Sequence, residues 1–383
     1  MVAVSESEPE SESEPGSSPG RVGVAAQGWA GHRTAEGPHP MDEYDYPLPE
    51  GAIAQTPIEP RSAARLLVAP GPGGSGTLSH RTVADLPGLV GPGDVLVVND
   101  TRVLTGRLHL KKDTGGRAEV LLLEPGDTDA ATWEALVRPG RRLPPGTRLV
   151  ERTGGPPVVE VGPTIGGPDD GRRRVRLLDP TVVERAGTVP LPPYIHHGLD
   201  DPDRYQTVYA TSRTLGDRSA AAPTAGLHFT PEVLAACRRA GAGVAHLDLA
   251  IGLDTFRPIT AATAEDHVIH SERYSVPEAT MAACAAAERV IAVGTTAVRA
   301  LESAAATGEL SGRTQLYIHG PYRFRVVDVL ITNFHLPRSS LLLLVESFCG
   351  PLWRDLYRTA LAEGYRFLSF GDAMMVARQA PAS

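Results

Sequence analysis

Residues 325–350, RVVDVLITNFHLPRSSLLLLVESFCG, constrain the fold more than any other part of this chain. Residues 326–332 are mostly β-branched residues and leucine, which predicts a strand covered on both faces. Residues 341–348 predict a helix with Ser339 or Ser340 as its N-cap. A buried strand, a polar loop and a helix in this order are typical of α/β proteins, in which ligands bind beyond the carboxyl ends of strands.

The loop between these two elements carries Asn333, His335 and Arg338 next to the two serines. Because a helix N-terminus presents unpaired N–H groups at the same place, the loop is a candidate ligand-binding site. The alternative is an ordinary loop whose polar groups cap the helix while Phe334 and Leu336 pack inward.

Further strand and helix units lie in the second half of the chain. Thr230, Pro231 and Glu232 predict a helix start, and Gly241 predicts its end. Residues 290–305, VIAVGTTAVRALESAA, predict a strand, a turn and another helix. Three such units indicate a layered α/β main domain, which we place at residues 42–93 and 190–383.

Residues 94–189 have a different pattern, with short β-type runs separated by turns rich in glycine and proline. This pattern predicts an inserted small β-barrel domain. Between residues 101 and 176, fourteen Lys and Arg stand against ten Asp and Glu. Exposed arginines on a barrel would suit a phosphate backbone, and the alternative is an ordinary solvated β surface.

The acidic character of the chain is concentrated at its start. Residues 1–50 contain ten Asp and Glu against Arg21 and Arg33, a net charge of −8, and the whole chain also has −8 (37 − 45). The remainder is therefore neutral and compatible with an anionic partner. We predict that residues 1–41 form a disordered acidic extension, because residues 5–20 hold no large apolar residue.

The length of 383 residues and the hydrophobic content of 42% predict two domains. The sequence shows no signal-peptide pattern and no apolar run of membrane-spanning length, so we expect a cytoplasmic protein without a membrane partner. Cys237, Cys284 and Cys349 are far apart in apolar stretches, which predicts reduced, buried side chains.

A candidate catalytic histidine follows a stretch of small residues. His228 ends the segment AAAPTAGLH, which also contains Pro223 and Thr224, and it directly precedes the predicted helix start. Small residues let the backbone approach a ligand closely. The alternative is a core histidine whose ring nitrogens are satisfied by neighbouring groups.

A second group of candidates lies in EDHVIHSERYSV, where His267, His270 and Glu272 suit an acid/base pair or part of a zinc site. Neither an H-E-x-x-H motif nor a cysteine pair supplies further ligands, so we expect no metal. The chain also lacks the glycine-rich dinucleotide motif, the P-loop and the G-x-S-x-G elbow, which disfavours the corresponding enzyme classes.

Nine blocks occur in one order along the chain: YPLPEGAIAQTPIEPRSAARLL, DVLVVNDTRV, VPLPPYI, DRYQTVYA, AAPTAGLHFT, HSERYSV, GTTAVRALES, VVDVLITNFHLPRSSL and YRFLSFGDAM. Together they resemble the S-adenosylmethionine:tRNA ribosyltransferase-isomerase family. The resemblance implies an α/β domain with an inserted six-stranded barrel. It also implies transfer and isomerisation of the ribosyl part of S-adenosylmethionine onto 7-aminomethyl-7-deazaguanine in tRNA, which gives epoxyqueuosine and releases adenine and methionine.

Such a reaction requires a base at C5′ beside the sulfonium, a proton donor to the departing adenine, and a groove for the anticodon loop. On the matching motifs, we expect His228 and His335 to share the proton transfers, with His270 and Glu272 as alternates. The expected substrate-binding residues are Asp100, Arg102, Pro223, Thr224, Thr295, Thr296, Arg299, Arg323, Asn333, Arg338 and Ser339.

Within that set, Asp100 and Arg102 are expected at an interdomain cleft, and Arg323 is expected to join the barrel arginines on phosphate. The resemblance implies S-adenosyl-L-methionine as co-substrate and the tRNA anticodon loop as partner. We further expect a monomer.

Some positions depart from the family pattern. Ala250 and Asp254 stand where a histidine and a glycine are usual, Arg218 replaces a usual glycine, and residues 319–321, His-Gly-Pro, replace a usual Tyr-Pro-Gly. These departures leave two alternatives. One is a paralogue that acts on a free deazapurine or another small nucleoside, and the other is a catalytically inactive RNA-binding relative.

Overall fold

A computed structural model describes residues 38–70, 77–126, 129–165, 171–211, 218–252 and 258–379. Residues 1–37 of the predicted extension, and Asp254, lie outside the described residues. The end of that extension is ordered, because Met41 is fully buried and its N–H donates to the carbonyl oxygen of Ala262 at 2.9 Å. The prediction of disorder was therefore wrong for residues 38–41.

The main sheet contains nine strands: β1 (Arg65–Val68), β2 (Ser79–Thr82), β3 (Asp94–Asn99), β11 (Gly243–Leu249), β12 (Glu272–Ser275), β13 (Arg289–Val293), β14 (Ser311–Thr314), β15 (Val329–Asn333) and β16 (Ala373–Ala377). Their order is β14-β12-β11-β3-β13-β15-β16-β1-β2. The strands β11, β3, β13 and β15 are mutually parallel, and β16 runs antiparallel to β15. Four carboxyl ends therefore meet at one edge of the sheet.

A separate barrel is formed by β4 (Arg107–Lys112), β5 (Arg117–Pro125), β6 (Thr132–Arg138), β7 (Arg148–Val150), β8 (Pro157–Thr164) and β9 (Arg172–Leu177). These strands pair in the order β4-β5-β6-β9-β8-β7, and β7 pairs again with β4. Closure leaves the barrel without an open edge. A short strand, β10 (Gly187–Thr188), pairs with β4 from outside the closed ring.

This architecture confirms the predicted layered α/β main domain with an inserted small β-barrel domain. One detail of the prediction was wrong, because residues 94–99 had been assigned to the barrel. They form β3, which pairs with β11 and β13 in the middle of the main sheet. All six residues of β3 are buried. A continuous apolar run suits a parallel strand covered on both faces better than a barrel strand with one solvated face.

The helices are α1 (Val182–Ala186), α2 (Pro231–Arg239), α3 (Glu278–Ala286), α4 (Thr295–Thr307), α5 (Ser340–Cys349) and α6 (Leu352–Ala362). The predicted helix starts are confirmed at both threonine and serine caps. The Thr230 hydroxyl accepts the N–H of Val233 at 3.3 Å, and the Ser339 hydroxyl accepts the N–H of Leu342 at 3.3 Å. Each cap satisfies one of the orphan donors of its helix.

The strand predicted from residue 326 begins three positions later, at Val329. A buried glutamate of α4 explains the shift, because the Glu302 carboxylate accepts the backbone N–H groups of residues 325, 326 and 327 at 2.8, 2.9 and 3.1 Å. These donors are satisfied by a side chain instead of a neighbouring strand. Burial raises the pKa of Glu302, and the three N–H donors oppose that effect.

Apolar clusters fill both faces of the main sheet, and the barrel interior holds a separate cluster of its own. Cys237, Cys284 and Cys349 are all buried, as predicted. Across the described ranges, no helix is both long and apolar enough to cross a membrane.

Candidate active site

A pocket with an empty volume of about 560 Å³ opens at the carboxyl ends of β13 and β15. Its walls are formed by residues 222–225, the start of α4, the loop after β15 and residues 368–369. Seven predicted site residues line it: Pro223, Thr224, Thr295, Thr296, Asn333, His335 and Ser339. A largely apolar pocket with a few converging polar groups is typical of a site for a small organic ligand.

The start of α4 forms part of the wall of this pocket. Gly294 precedes the helix with φ of 92°, a conformation that favours glycine, and its N–H donates to the carbonyl oxygen of Ile331 at 2.7 Å. The Thr296 hydroxyl accepts from Asn99 Nδ2 at 3.3 Å. Asn99 also donates to the carbonyl oxygen of Leu249 at 3.0 Å, so it ties the ends of β3 and β11 to α4.

Hydrogen bonds hold the Asn333 side chain at the end of β15, the longest of them from Nδ2 to the carbonyl oxygen of Asp372 at 3.5 Å. Asn333 Oδ1 accepts from the Thr224 hydroxyl at 2.9 Å, and its Nδ2 donates to the carbonyl oxygen of Leu368 at 3.1 Å. Leu368 has φ of 68°, which is rare for a residue with a side chain. Such strain costs about 1–3 kcal/mol and persists where the surroundings enforce it, commonly beside a binding site.

His335 lies in the same pocket and is buried. Its backbone is fixed by two phenols, since its N–H donates to the Tyr357 hydroxyl at 2.9 Å and its carbonyl oxygen accepts from the Tyr46 hydroxyl. Its ring Nε2 lies 3.0 Å from the Thr332 hydroxyl. Burial lowers the pKa of His335 to about 3, so the ring is neutral near pH 7 and its tautomer depends on which way the Thr332 hydroxyl points.

A second pocket, with an empty volume of about 470 Å³, adjoins the first, and Leu341 lines both. It contains His270, Glu272 and Arg299 from the predicted set. Glu272 forms a buried ion pair with Arg299, and its Oε1 accepts the N–H of Gly252 at 2.8 Å. The imidazole of His270 is exposed at this pocket.

The buried Arg299 guanidinium retains an unused donor. Its Nε donates to the carbonyl oxygen of Leu316 at 3.0 Å and its Nη1 pairs with Glu272. Its Nη2 is buried and has no hydrogen-bond partner within the described chain. A buried donor without an acceptor is costly, so this atom is suited to bind an acceptor on a ligand.

His228 does not line either pocket. Its ring is buried, with Nδ1 3.1 Å from the carbonyl oxygen of Ala225 and Nε2 2.8 Å from that of Gly371. Burial lowers the pKa of His228, although both carbonyl contacts oppose that effect. A neutral ring can donate to only one of these two carbonyl oxygens, so a single hydrogen bond to the backbone holds His228 in the core, as in the alternative of a core histidine.

Four other predicted residues also lie outside both pockets. Arg338, with φ of 54°, forms an ion pair with Asp42 instead of facing the pocket. Asp100 is buried just after β3, with its N–H donating to the carbonyl oxygen of Leu247 at 2.8 Å. The Arg102 carbonyl oxygen accepts the N–H of Ser219 at 2.8 Å. Arg323 is exposed and distinct from the pocket walls.

The first pocket also contains residues that the sequence analysis did not single out as ligands. The hydroxyls of Tyr194 and Ser369 lie 2.8 Å apart in its wall. Thr332, the partner of the His335 ring, lines it as well. Tyr194 belongs to the block VPLPPYI and Ser369 to YRFLSFGDAM, so the polar residues of those blocks were the available signal.

Ala250, where the family usually has a histidine, is buried at the end of β11, and its N–H donates to the carbonyl oxygen of Arg273 at 2.9 Å. The next residue, Ile251, lines the first pocket, and its N–H donates to the Ser219 hydroxyl at 2.8 Å. The departure at Ala250 therefore leaves the local backbone pairing in place.

Comparisons with known proteins agree on one family. The sequence profile described as "Queuosine biosynthesis protein" matches residues 41–376. A relative from Rubrobacter xylanophilus named S-adenosylmethionine:tRNA ribosyltransferase-isomerase is 51% identical over 337 residues, which cover 88% of this chain and 97% of the relative. A relative of the same name from Moorella thermoacetica is 48% identical over 352 residues, which cover 88% of this chain and 99% of the relative.

Among solved structures, the S-adenosylmethionine tRNA ribosyltransferase from Thermotoga maritima is 33% identical. The match covers 87% of this chain and 99% of that chain, with a TM-score of 0.49.

Proposed function

The chain belongs to the S-adenosylmethionine:tRNA ribosyltransferase-isomerases of queuosine biosynthesis, and on this premise we propose how its two pockets divide the substrates. It transfers and isomerises the ribosyl moiety of S-adenosylmethionine onto 7-aminomethyl-7-deazaguanine in tRNA, giving epoxyqueuosine, adenine and methionine. Relatives that are 45–51% identical are named for this activity. Their names support it over a paralogue that acts on a free nucleoside and over an inactive RNA-binding relative.

The first pocket is the site of S-adenosylmethionine in this proposal. The observation that carries it is the convergence of seven predicted residues on one pocket at the carboxyl edge of the parallel strands. The apolar wall around Ile251 and Leu336 suits the adenine ring, and the start of α4 offers N–H groups and hydroxyls to a carboxylate or to ribose.

His335 is the group that we assign to proton transfer in this pocket. A ring that is neutral near pH 7 can accept a proton at one nitrogen or donate one from the other. When the Thr332 hydroxyl accepts from Nε2–H, Nδ1 is free to act as a base at C5′. The imidazolium formed by that transfer can then return the Nδ1 proton to the departing adenine. We assign His228 to positioning, because its ring lies against two backbone carbonyl oxygens and lines neither pocket.

The second pocket is proposed to receive the deazaguanine base. The Glu272 carboxylate can accept N–H groups of the base or its aminomethyl cation, and Arg299 Nη2 can donate to a carbonyl oxygen. Because Leu341 lines both pockets, the base and the ribosyl group would occupy adjoining spaces, as transfer to the amine requires. His270 at the rim is the alternate proton carrier.

The anticodon loop would then approach across the barrel. In β9 the apolar residues point into the barrel while Arg174 and Arg176 are exposed on its outer face. These cations, with the exposed Arg323, are suited to phosphate contacts that position the tRNA. We further propose that the enzyme acts as a monomer in the cytoplasm, where its tRNA substrate is modified.

The test is adenine release from S-adenosylmethionine in the presence of tRNA that carries 7-aminomethyl-7-deazaguanine. His335→Ala should lower kcat by roughly a hundredfold or more, as expected for loss of a general acid/base, with S-adenosylmethionine binding retained in calorimetry. His196→Ala, an exposed imidazole outside both pockets, is the matched control.

Unchanged kcat in His335→Ala would remove this residue from the proton transfers. A larger loss in His228→Ala than in His335→Ala, at equal folded fraction, would reverse the two assignments. Release of adenine with the free deazaguanine base but not with tRNA would contradict the assignment of tRNA as the acceptor.

A further inference from the structure

A cluster of metal-ligand side chains lies outside both pockets. His39, Glu265 and His319 each direct one ligand atom into a space in which these atoms lie within 4.8 Å of one another. The three residues come from the start of the described chain, from the segment after residue 258 and from the segment after β14. A local sequence motif could not predict this cluster, because more than fifty residues separate each of its members from the next.

The donor geometry is close to that of a zinc site. His39 Nδ1 lies 2.7 Å from Glu265 Oε1, and His319 Nδ1 lies 3.9 Å from the same oxygen. Zn–N and Zn–O bonds of roughly 2.1 Å at tetrahedral angles place two ligand atoms about 3.4 Å apart. The two observed distances bracket that value, so side-chain rotations suffice to close the site around an ion.

The backbone around the cluster holds the three side chains in place. Gly320 has φ of 58°, and a Cβ there would lie 2.7 Å from the His39 ring. Only glycine therefore lets His39 reach its position beside His319. Both His319 and Gly320 belong to the His-Gly-Pro sequence that stands where the family usually has Tyr-Pro-Gly.

The carboxylate is prepared to act as a ligand. Glu265 accepts the backbone N–H of His39 at 3.1 Å as well as its ring contact. An ionised carboxylate and two imidazoles form a donor set that zinc commonly uses when one position remains for water.

We propose that His39, Glu265 and His319 bind a divalent transition metal of the zinc class and thereby anchor residues 38–41 to the main domain. The anchored segment already contacts its neighbours through two backbone bonds, from the N–H of Met41 to Ala262 and from the N–H of Ala264 to His39, each 2.9 Å. Such an ion would tie the first described residues to the segments that carry Glu265 and His319. It is a structural site that takes no part in ribosyl transfer.

The experiment uses the full chain without an affinity tag, stripped with a chelator and then equilibrated with Zn²⁺. We expect one equivalent of zinc by elemental analysis, with the dissociation constant raised at least roughly tenfold in His39→Ala and in His319→Tyr, since even an outer-shell partner is worth that much. The His196→Ala/His197→Ala double variant, which changes two exposed imidazoles elsewhere, should bind zinc like the wild type. Absence of bound zinc, or equal affinity in all variants, would overturn the site.

Anchoring has its own readout in amide hydrogen exchange. Zinc should slow exchange at Met41 and Ala264 in the wild type and in the control variant, and should leave both amides unchanged in His319→Tyr. Zinc that binds without slowing either amide would overturn the anchoring. Adenine release should be the same with and without zinc, because none of the three ligands lines either pocket, although the His319 ring packs 4.6 Å from that of Tyr317 in the wall of the second.

Discussion

Acidification should destabilise this protein through the buried imidazole of His335. Burial lowers the pKa of this ring from 6.5 to about 3 in the folded chain, whereas in the unfolded chain the ring titrates with its ordinary value. Because the folded-state pKa is depressed, the stability contribution of the neutral ring is complete above about pH 6.5. It is lost progressively as the pH falls towards about 3, since only the unfolded chain takes up the proton in that window.

The magnitude follows from linkage, because each pH unit within the window costs about 1.4 kcal/mol. Between about pH 7.5 and about pH 5.0, the His335 ring alone should lower the free energy of unfolding by about 2 kcal/mol. His335→Gln removes this ring while keeping an amide near the Thr332 hydroxyl. The variant should be less stable than the wild type at the higher pH, and the gap should shrink by about 2 kcal/mol at the lower pH.

The measurement is urea unfolding of both proteins at a series of pH values, compared as differences in the free energy of unfolding. His196→Gln, which changes an exposed imidazole, should give a curve parallel to that of the wild type. A gap between wild type and His335→Gln that does not vary with pH would refute the assignment of a buried neutral ring. The pKa of His228 is also lowered by burial, so it adds to the acid sensitivity in the same direction.

Three further outcomes follow from the site. Arg299→Met should destabilise the fold by about 3–5 kcal/mol, because Glu272 would be left as a buried unpaired charge, and adding Glu272→Gln should recover part of that loss in chemical unfolding. Ser339→Ala should lower the free energy of unfolding by about 1 kcal/mol through loss of the α5 cap, read as a lower urea midpoint; an unchanged midpoint would contradict the cap. Replacing Arg174 and Arg176 by serine should weaken tRNA binding and reduce its dependence on log salt by roughly 1 for each lost phosphate contact, while S-adenosylmethionine binding stays constant; an unaltered slope would place the tRNA elsewhere.

Local chemistry is what made parts of the fold predictable. Neighbouring residues alone determine the caps at Thr230 and Ser339 and the apolar runs of β13 and β15. These elements could therefore be predicted from the sequence. The assignment of β3 did not, because its partners β11 and β13 lie more than a hundred residues further along the chain.

The two histidines of the proposed mechanism also depend on contacts that local sequence does not predict. His228 and His335 both follow apolar residues and precede a helix start, so their sequences suggest similar roles. Tertiary contacts separate them, since the carbonyl oxygen of Gly371, distant in sequence, lies 2.8 Å from the His228 ring, whereas the His335 ring lines the pocket. Tertiary packing, which no local sequence pattern predicts, therefore determines which imidazole can contact a ligand.

The helix α4 links several functional groups through its regular spacing. Thr295 lies in the first pocket, Arg299 in the second, and Glu302 fixes the chain that enters β15. Intervals of four and three residues place all three side chains on one side of the helix. The two pockets and the chain that enters β15 therefore all depend on one helix, and a single residue inserted in the middle of α4 would rotate its far end by about 100° and misalign them together.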